Sequence, residues 1–461
     1  MHKKRSIKLV AGLLAASCLA LTGKPGWAQS SPGGEVQPVL QVETGSHSAF
    51  IRRIDVAQDR GIAVTASDDK TARVWDLASG ELRRVLRPPV GSGEIGRLYG
   101  VAIHPTQDLV ALGGTTGNGV GQHRIMLFSM STGEPLRAFD ARAGDIRKLA
   151  WTRDGSLLLA VYAGDNALRA FDVNGVMVHQ ESLTGPSYGL AVSADGKAAA
   201  SSLDGRVVVV TAQAGRVTPL RSIKTSTDQA VAVSFSPDGS KLVVGFRRPK
   251  TPPEVLDVAT GRPVLKLQQH DLVEGTQMSV AWSLDGSRIV VGGSGYNSNR
   301  RFPVYFHDAA SGRIAAQQEV ANDTVFDLVA LKGGEVAWAS HDGTWGVAGP
   351  QRLSLAVTSG IADLKGPQTL RVSADGRAVA WNYSWGREPA SFDFSRKVID
   401  IGASDAARLE APDSSRGAFD RSTWENVLAP RVNGRDVALD PAEVSRALDY
   451  FPSGGDAALG K

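Results

Sequence analysis

The sequence predicts an all-β protein that is built from repeated four-stranded sheets. The chain of 461 residues contains 51 glycines and offers few long helical patterns. An Asp-Gly-type turn between two apolar, alternating segments recurs about every 40–50 residues. A third apolar segment, which often ends in an aromatic residue and Asp, follows at the same period. Because units this short cannot bury their faces alone, we expect them to stack around an axis. A β-sandwich is the alternative, but it gives no reason for a turn to repeat at this period.

The N-terminus has the pattern of a secretory signal. Basic residues in Met1–Arg5 precede an apolar run from Leu9 to Leu21, and Gly26-Trp-Ala28 offers a small-x-small cleavage site. The apolar run is too short to span a membrane. We therefore expect residues 1–28 to be a signal peptide, the mature protein to be periplasmic or secreted, and no membrane span to remain after cleavage.

Removal of this leader changes the charge and cysteine content. The formal net charge is +4, but the leader holds five cations and no acid, so the remaining chain is close to −1. This charge gives no support to nucleic-acid binding. The single cysteine, Cys18, leaves with the leader, which excludes disulfides, thiol catalysis and thiolate metal sites from the mature chain.

The next predicted element is a strand over Val39–Glu43, where apolar and β-branched residues alternate after Pro38. It precedes the first repeat, so we expect it to complete the last sheet of the ring. The first and second strands of each repeat are then joined by a tight turn, at Asp59–Gly61, Gln107–Asp108, Asp154–Gly155, Asp195–Gly196, Asp238–Gly239, Asp285–Gly286, Lys332–Gly334 and Asp375–Gly376. The third strand is predicted at Arg73–Asp76, Met126–Phe128, Leu168–Asp172, Glu254–Asp257 and Val304–Asp308.

Four residues of the first repeat carry a resemblance to a known family. His47 stands upstream of the segment Thr65-Ala-Ser-Asp-Asp-Lys-Thr-Ala-Arg-Val-Trp75-Asp76, in which Asp69 falls in a turn. This spacing resembles a WD40 repeat, the blade unit of a β-propeller. The resemblance implies that His47, Thr65, Asp69 and Trp75 form a structural hydrogen-bonded chain. A buried carboxylate needs donors, and an indole N–H needs an acceptor.

The other repeats keep less of this pattern. Asp204 and Asp342 retain the acid of the turn, but the remaining positions are largely replaced. We count seven repeats from about Phe50 to Gly349 and expect a seven-bladed WD40-like propeller over residues 29–350. Residues 351–461 would hold additional blades or a partial second propeller, beginning with the unit Leu370–Phe394. A single eight-bladed ring is the alternative.

Long loops suggest where a partner could bind. The connections between second and third strands are long at Thr115–Arg124, Arg247–Glu254 and Tyr296–Phe302, and in WD40 blades these connections share one face. Neighbouring blades should bring their cations together for an acidic or carboxylate-bearing partner. The alternative is that these are solvated loop charges. The candidate residues are His123, Arg124, Arg247, Arg248, Lys250, Arg300 and Arg301.

The sequence offers no catalytic, metal or cofactor motif. Histidines after the leader are scattered singly, and no Gly-x-Ser-x-Gly elbow is present. We therefore expect a non-enzymatic scaffold that binds a protein or peptide. The alternative is an enzyme or small-ligand binder that acts in the axial channel. The chain also resembles the propeller region of exported bacterial WD40 proteins, some of which carry a caspase-like domain. The Cys-His dyad of that domain is missing here, so its activity is not implied.

Overall fold

The computed structural model describes residues 45–357, apart from 92, 118–122, 143, 271, 273 and 274, and the backbone of short strands between 370 and 436. Within this part of the chain the protein is all-β, with single 3₁₀ turns at Gln58–Arg60 and Lys332–Gly334. The predicted strand Val39–Glu43 lies outside the described residues.

Residues 51–357 form seven antiparallel four-stranded sheets, each made of four consecutive strands. The first four blades are β1 Ile51–Ala57, β2 Ile62–Ser67, β3 Ala72–Asp76 and β4 Leu82–Leu86; β5 Leu98–Ile103, β6 Val110–Gly114, β7 Arg124–Phe128 and β8 Pro135–Asp140; β9 Ile146–Trp151, β10 Leu157–Tyr162, β11 Ala167–Asp172 and β12 Met177–Ser182; β13 Ser187–Val192, β14 Lys197–Ser202, β15 Arg206–Gln213 and β16 Arg216–Lys224.

The last three blades repeat the order. They are β17 Ala230–Phe235, β18 Lys241–Phe246, β19 Glu254–Asp257 and β20 Pro263–Lys266; β21 Ser279–Trp282, β22 Arg288–Gly292, β23 Phe302–Asp308 and β24 Ile314–Ala321; β25 Val325–Ala330, β26 Val336–Ser340, β27 Trp345–Ala348 and β28 Leu353–Val357. A further four-stranded sheet contains β29 Leu370–Val372, β30 Ala378–Trp381, β31 Ala390–Asp393 and β32 Val398–Ile401, and a short hairpin pairs β33 Arg431–Val432 with β34 Arg435–Asp436.

The seven sheets close into a ring. The first strand of each blade contacts the first strand of the next, and β25 of the seventh blade contacts β1 of the first. The protein is therefore a seven-bladed propeller, which excludes the alternative of a single eight-bladed ring. The further sheet β29–β32 lies beyond the ring in sequence, in the segment predicted to hold additional blades.

One expectation about ring closure is wrong. The fourth strand of the seventh sheet is β28 (Leu353–Val357), so this position is filled by the segment that follows β27 and not by Val39–Glu43. The physical reason is local: β28 pairs with β27 as a simple antiparallel neighbour across a short turn, which needs no long-range closure.

The core lies between neighbouring blades. Each interface packs apolar residues from two sheets, and one cluster joins the first and seventh blades through Ile54, Trp75, Ala339 and Trp345. The predicted turns lie where expected: the seven between Asp59 and Gly334 each connect the first and second strands of a blade. In four of them a Ser or Thr hydroxyl hydrogen-bonds the turn Asp, as in the Thr152 and Asp154 pair at 2.6 Å. This bond explains why the same short motif recurs.

Candidate functional site

The first blade contains a continuous hydrogen-bonded chain of four side chains. Trp75 Nε1 donates to Thr65 Oγ1 at 2.8 Å, and Thr65 Oγ1 lies 2.6 Å from His47 Nε2. His47 Nδ1 lies 2.8 Å from Asp69 Oδ2. The structure thus brings together the four residues that the sequence pattern singled out.

Asp69 is the acceptor at the end of this hydrogen-bonded chain of side chains. Asp69 also accepts the backbone N–H of Thr71 at 2.9 Å and its hydroxyl at 2.6 Å. Burial alone would raise the pKa of Asp69, but the charge and hydrogen bond of His47, together with Thr71, hold that pKa well below its usual range. An ionised Asp69 requires a proton on His47 Nδ1. His47 Nδ1 is therefore the donor in its contact with Asp69.

The described part of the seventh blade does not reproduce this chain. Asp342 accepts the backbone N–H groups of Asn322 at 2.8 Å and Thr344 at 3.0 Å. The register of the seventh blade places Ala348 where the first blade has Trp75. Trp345 instead opens β27 at the position of Ala72, and its Nε1 is buried without a hydrogen-bond partner among the described residues. The seventh blade therefore relies on apolar packing where the first uses polar contacts.

A recurring β-bulge determines which side chains line the axial channel. In six of the seven inner strands the pairing register shifts at the second residue, which leaves that residue unpaired. A bulge re-aims a side chain without ending the strand. Together with Met278, which immediately precedes β21, the bulged residues form one layer around the axis: Arg52, Tyr99, Arg147, Tyr188, Val231 and Phe326.

This layer opens into a cavity of about 470 Å³, which we call the channel mouth. It lies on the face where the loops between second and third strands emerge, because Arg247, Ser294 and His341 of those loops also line it. The lining residues are Arg52, Arg53, Tyr99, Arg147, Tyr188, Val231, Arg247, Thr276, Met278, Ser294, Thr324, Phe326 and His341.

Arginine and aromatic side chains alternate around part of the channel mouth. The Arg147 guanidinium lies 4.7 Å from the ring centroid of Tyr99 and 5.6 Å from that of Tyr188. Arg52 lies 5.6 Å from the centroid of Tyr99 and 5.4 Å from that of Phe326. Each such contact attracts a cation to the face of a ring, so the aromatic residues hold the guanidinium groups in place.

Arg52 is also fixed by an acid and an imidazole. Its Nε and Nη2 contact Asp68 Oδ1 and Oδ2 at 2.9 and 2.6 Å, and its Nη1 lies 3.1 Å from His341 Nε2. His341 stacks between Phe50 and Phe326, with centroid distances of 4.6 and 4.4 Å. Burial, and then the charges of Arg52 and Arg53, lower the pKa of His341 to about 3. His341 is therefore a neutral acceptor at pH 7.

Arg53 closes the floor of the channel mouth. It starts in the first blade, and its Nη2 donates to the carbonyl of Tyr188 in the fourth blade at 3.1 Å, so it reaches across the axis. It is 6% exposed, and burial lowers its pKa despite the charge of Asp327. Lys148 of the third blade likewise reaches Asp327 of the seventh at 3.2 Å. These cross-axis contacts make the channel mouth a pocket with a polar floor.

The predicted cations of the fifth and sixth blades lie on this same face. Arg247 lines the channel mouth. Arg248 instead pairs with Asp228 at 2.8 Å, both largely exposed, and Arg301 hydrogen-bonds Asn322. Lys250 and Arg300 occupy loop positions with φ of +57° and +56°. Of these five cations, only Arg247 reaches the channel mouth.

The remaining two candidates lie in the second blade. His123 is buried, and its Nδ1 accepts the backbone N–H of Thr116 at 3.2 Å within its own loop. Arg124 is exposed and opens β7. The ring separates both from the cationic loops of the fifth and sixth blades, so the structure does not bring them into one cluster.

Sequence reasoning missed the bulged residues. The signal that could have found them is positional: each stands second in an inner strand, six to eight residues before the turn that follows the strand. In the part of the chain that the structure describes, no group of three or more His, Cys, Asp or Glu side chains is placed to hold a metal ion. Among the same residues, no helix has the length and apolar character needed to cross a membrane.

Comparisons with known proteins agree with this architecture. Residues 38–76 match the family model described as "WD domain, G-beta repeat". The chain is 29% identical over 240 residues to human (Homo sapiens) WD repeat-containing protein 90, covering 48% of this chain and 13% of that protein. It is 30% identical over 136 residues to Eukaryotic translation initiation factor 3 subunit I of Rattus norvegicus, covering 27% and 38%. The chain thus spans less than half of the length of these curated relatives. From the fold and these matches, we identify the chain as a seven-bladed β-propeller whose first blade matches the WD40 repeat model.

Proposed function

We propose that this protein is an exported scaffold that binds a protein or peptide partner through the face containing the channel mouth. WD40 propellers generally bind protein partners, and the observation that carries the proposal here is the pocket of arginines held by aromatic rings. Binding sites on scaffolds of this kind are often formed by loops placed on a rigid frame. Arg and Tyr are also the residues most enriched where protein interfaces have their strongest contacts.

The cationic loops extend this surface outward. Arg248 and Lys250 follow Arg247 in the loop of the fifth blade, while Arg300 and Arg301 belong to the loop of the sixth blade that also contributes Ser294 to the pocket. Arg248 and Lys250 are exposed, as is Arg300. Together they favour an acidic partner, which complementary charge would steer to this face. We propose export from the signal pattern of residues 1–28.

A second candidate function is the binding of a small anionic ligand. The size of the channel mouth, about 470 Å³, favours it, because ligand sites commonly have volumes of this order. The described residues show no catalytic constellation in the pocket, so we propose binding without a reaction.

Quantitative cross-linking and mass spectrometry of the full chain in its native cells test the proposed scaffold function. The variant has Arg247, Arg248, Arg300 and Arg301 replaced by Ser. We expect it to lose the partners that the unmodified protein cross-links. The matched control replaces four exposed arginines, which lie in or next to turns of the opposite face, by Ser: Arg153, Arg216, Arg262 and Arg313.

The control should keep its partners, because it loses the same charge from the other side of the ring. Identical partner sets for all three proteins would contradict the proposal. Sequencing the N-terminus of the mature protein tests export, with Gln29 as the expected first residue.

A further inference from the structure

The charges around the channel mouth are unbalanced. Four arginines line it, and none of the lining residues is an acid. Three acids outside the lining offset part of this charge: Asp68 pairs with Arg52, Asp145 lies 3.3 Å from Arg147, and Asp327, which pairs with Lys148, acts on Arg53. Arg247 has no side-chain partner among the described residues. A concave surface with this excess of cations attracts anions.

The floor of the pocket holds a buried donor without an acceptor. Arg53 donates through Nη1 to the carbonyl of Arg52 and through Nη2 to that of Tyr188, but its Nε has no hydrogen-bond partner among the residues that the structure describes. Buried polar groups in folded proteins are almost always hydrogen-bonded, and an exception needs an explanation. Nε itself is shielded from solvent, but Arg53 lines the cavity, so an anion there would lie next to a guanidinium group whose hydrogen bonds are incomplete.

The arrangement is set before any ligand binds. Tyr99, Tyr188 and Phe326 hold the guanidinium groups of Arg52 and Arg147 through ring contacts of 4.7–5.6 Å. Ordering long side chains is one of the costs of binding, so arginines that are already held bind an anion with less loss. Planar guanidinium forks also match the geometry of a carboxylate.

The rest of the wall selects among anions. Val231, Met278 and Phe326 provide apolar surface next to the arginines, which suits the methylene groups of an acidic side chain better than a fully hydrated inorganic ion. The volume exceeds that of a single carboxylate, and the open face leads to the loops of the fifth and sixth blades.

We propose that the channel mouth binds a carboxylate side chain of an acidic peptide segment, with Arg53 at the floor and Arg147 and Arg247 on the wall as its donors. This inference rests on the proposed function and names the chemistry of the partner. The carboxylate inserts between the arginines, and the segment that bears it lies across the loops of the fifth and sixth blades.

Calorimetric titration of the full mature chain with an acetylated, amidated hexaglutamate peptide tests this inference. The matched hexaglutamine peptide, inorganic phosphate and free glutarate are titrated in parallel. We expect hexaglutamate to bind, and to bind more weakly as salt is raised, because salt screens charges. Hexaglutamine should not bind. Binding of phosphate without binding of hexaglutamate would overturn the proposal.

Substitutions in the wall locate the site. Arg147→Gln and Arg247→Gln should each weaken hexaglutamate binding about tenfold or more, since a hydrogen bond to a charged group contributes this much. Arg262→Gln and Arg313→Gln remove the same charge from the opposite face and should change affinity less than twofold. Arg53 is avoided because its contacts across the axis also support the fold. Unchanged affinity in both wall variants, with thermal unfolding equal to that of the parent, would overturn the proposal.

The two proposals fail in different ways. If glutarate binds as tightly as the peptide and the wall variants weaken glutarate binding, the results support the carboxylate site and contradict the protein-binding function. If cross-linked partners depend on the loop arginines but hexaglutamate does not bind, the results support the scaffold function and contradict the proposed carboxylate site.

Discussion

At the scale of single residues, the first blade depends on one hydroxyl. Thr65 is fully buried and its Oγ1 lies between Trp75 Nε1 at 2.8 Å and His47 Nε2 at 2.6 Å. It accepts from the indole of Trp75 and also hydrogen-bonds the imidazole of His47, which no apolar side chain can do. Both neighbours are buried, so neither can turn to water if the hydroxyl is lost. The four residues of this chain were predictable because their identity and spacing along one blade set their contacts.

Replacing Thr65 by Val, which has the same shape without the hydroxyl, should lower the free energy of unfolding by about 1–3 kcal/mol, because two buried groups lose a partner. Thr65→Ser keeps the hydroxyl and should lose less. Urea denaturation followed by circular dichroism measures both. Equal stability of the Val variant and the parent would show that this hydrogen-bonded chain of side chains does not contribute to stability.

At the scale of elements, each blade is a complete local unit. The turns and strands follow from short motifs, so their positions agree with the sequence pattern from Asp59 to Gly334. The bulges were not predictable in this way. A bulge leaves no distinctive residue type behind: the layer contains Arg, Tyr, Val and Phe at the same place, so residue identity alone does not reveal it.

The outer strand of the seventh blade provides an element-scale prediction. A Cβ added at Gly346 would lie 2.1 Å from the carbonyl oxygen of Leu355 in β28, a backbone atom that cannot move aside cheaply. Gly346→Ala should therefore lower the free energy of unfolding by about 1–3 kcal/mol. Gly144→Ala is the control, since nothing lies within 4 Å of its added Cβ. Hydrogen exchange of β27 and β28 measures the local effect, and unchanged protection in the Gly346 variant would contradict the role given to β28.

At the scale of the whole molecule, stability depends on the contact between the last blade and the first. Trp75 and Trp345 meet there with ring centroids 5.5 Å apart, and both are almost completely buried. This contact joins residues from opposite ends of the ring, so it forms only when all seven blades are in place.

Trp345→Ala should lower the free energy of unfolding by about 3–5 kcal/mol, as expected when a large aromatic core residue is truncated. Trp345→Phe keeps a ring at the interface and should cost less. Leu136→Ala removes an apolar side chain that is 53% exposed and should change stability by no more than about 0.5 kcal/mol. Equal losses for the Ala variants at 345 and 136 would contradict the importance of ring closure.

The sequence alone determined the all-β class, the repeat, its turns and the polar chain of the first blade. These features depend on contacts between residues that are close along the chain, so spacing and residue type are enough to predict them. The tertiary structure decided that the ring closes at seven blades by contact of β25 with β1, that β28 completes the seventh sheet, and which side chains face the axis. Those outcomes depend on contacts between distant segments, such as Arg53 with Tyr188 or Lys148 with Asp327, that no local pattern encodes. The arginine and aromatic pocket belongs to this second group, because it exists only where seven strands converge.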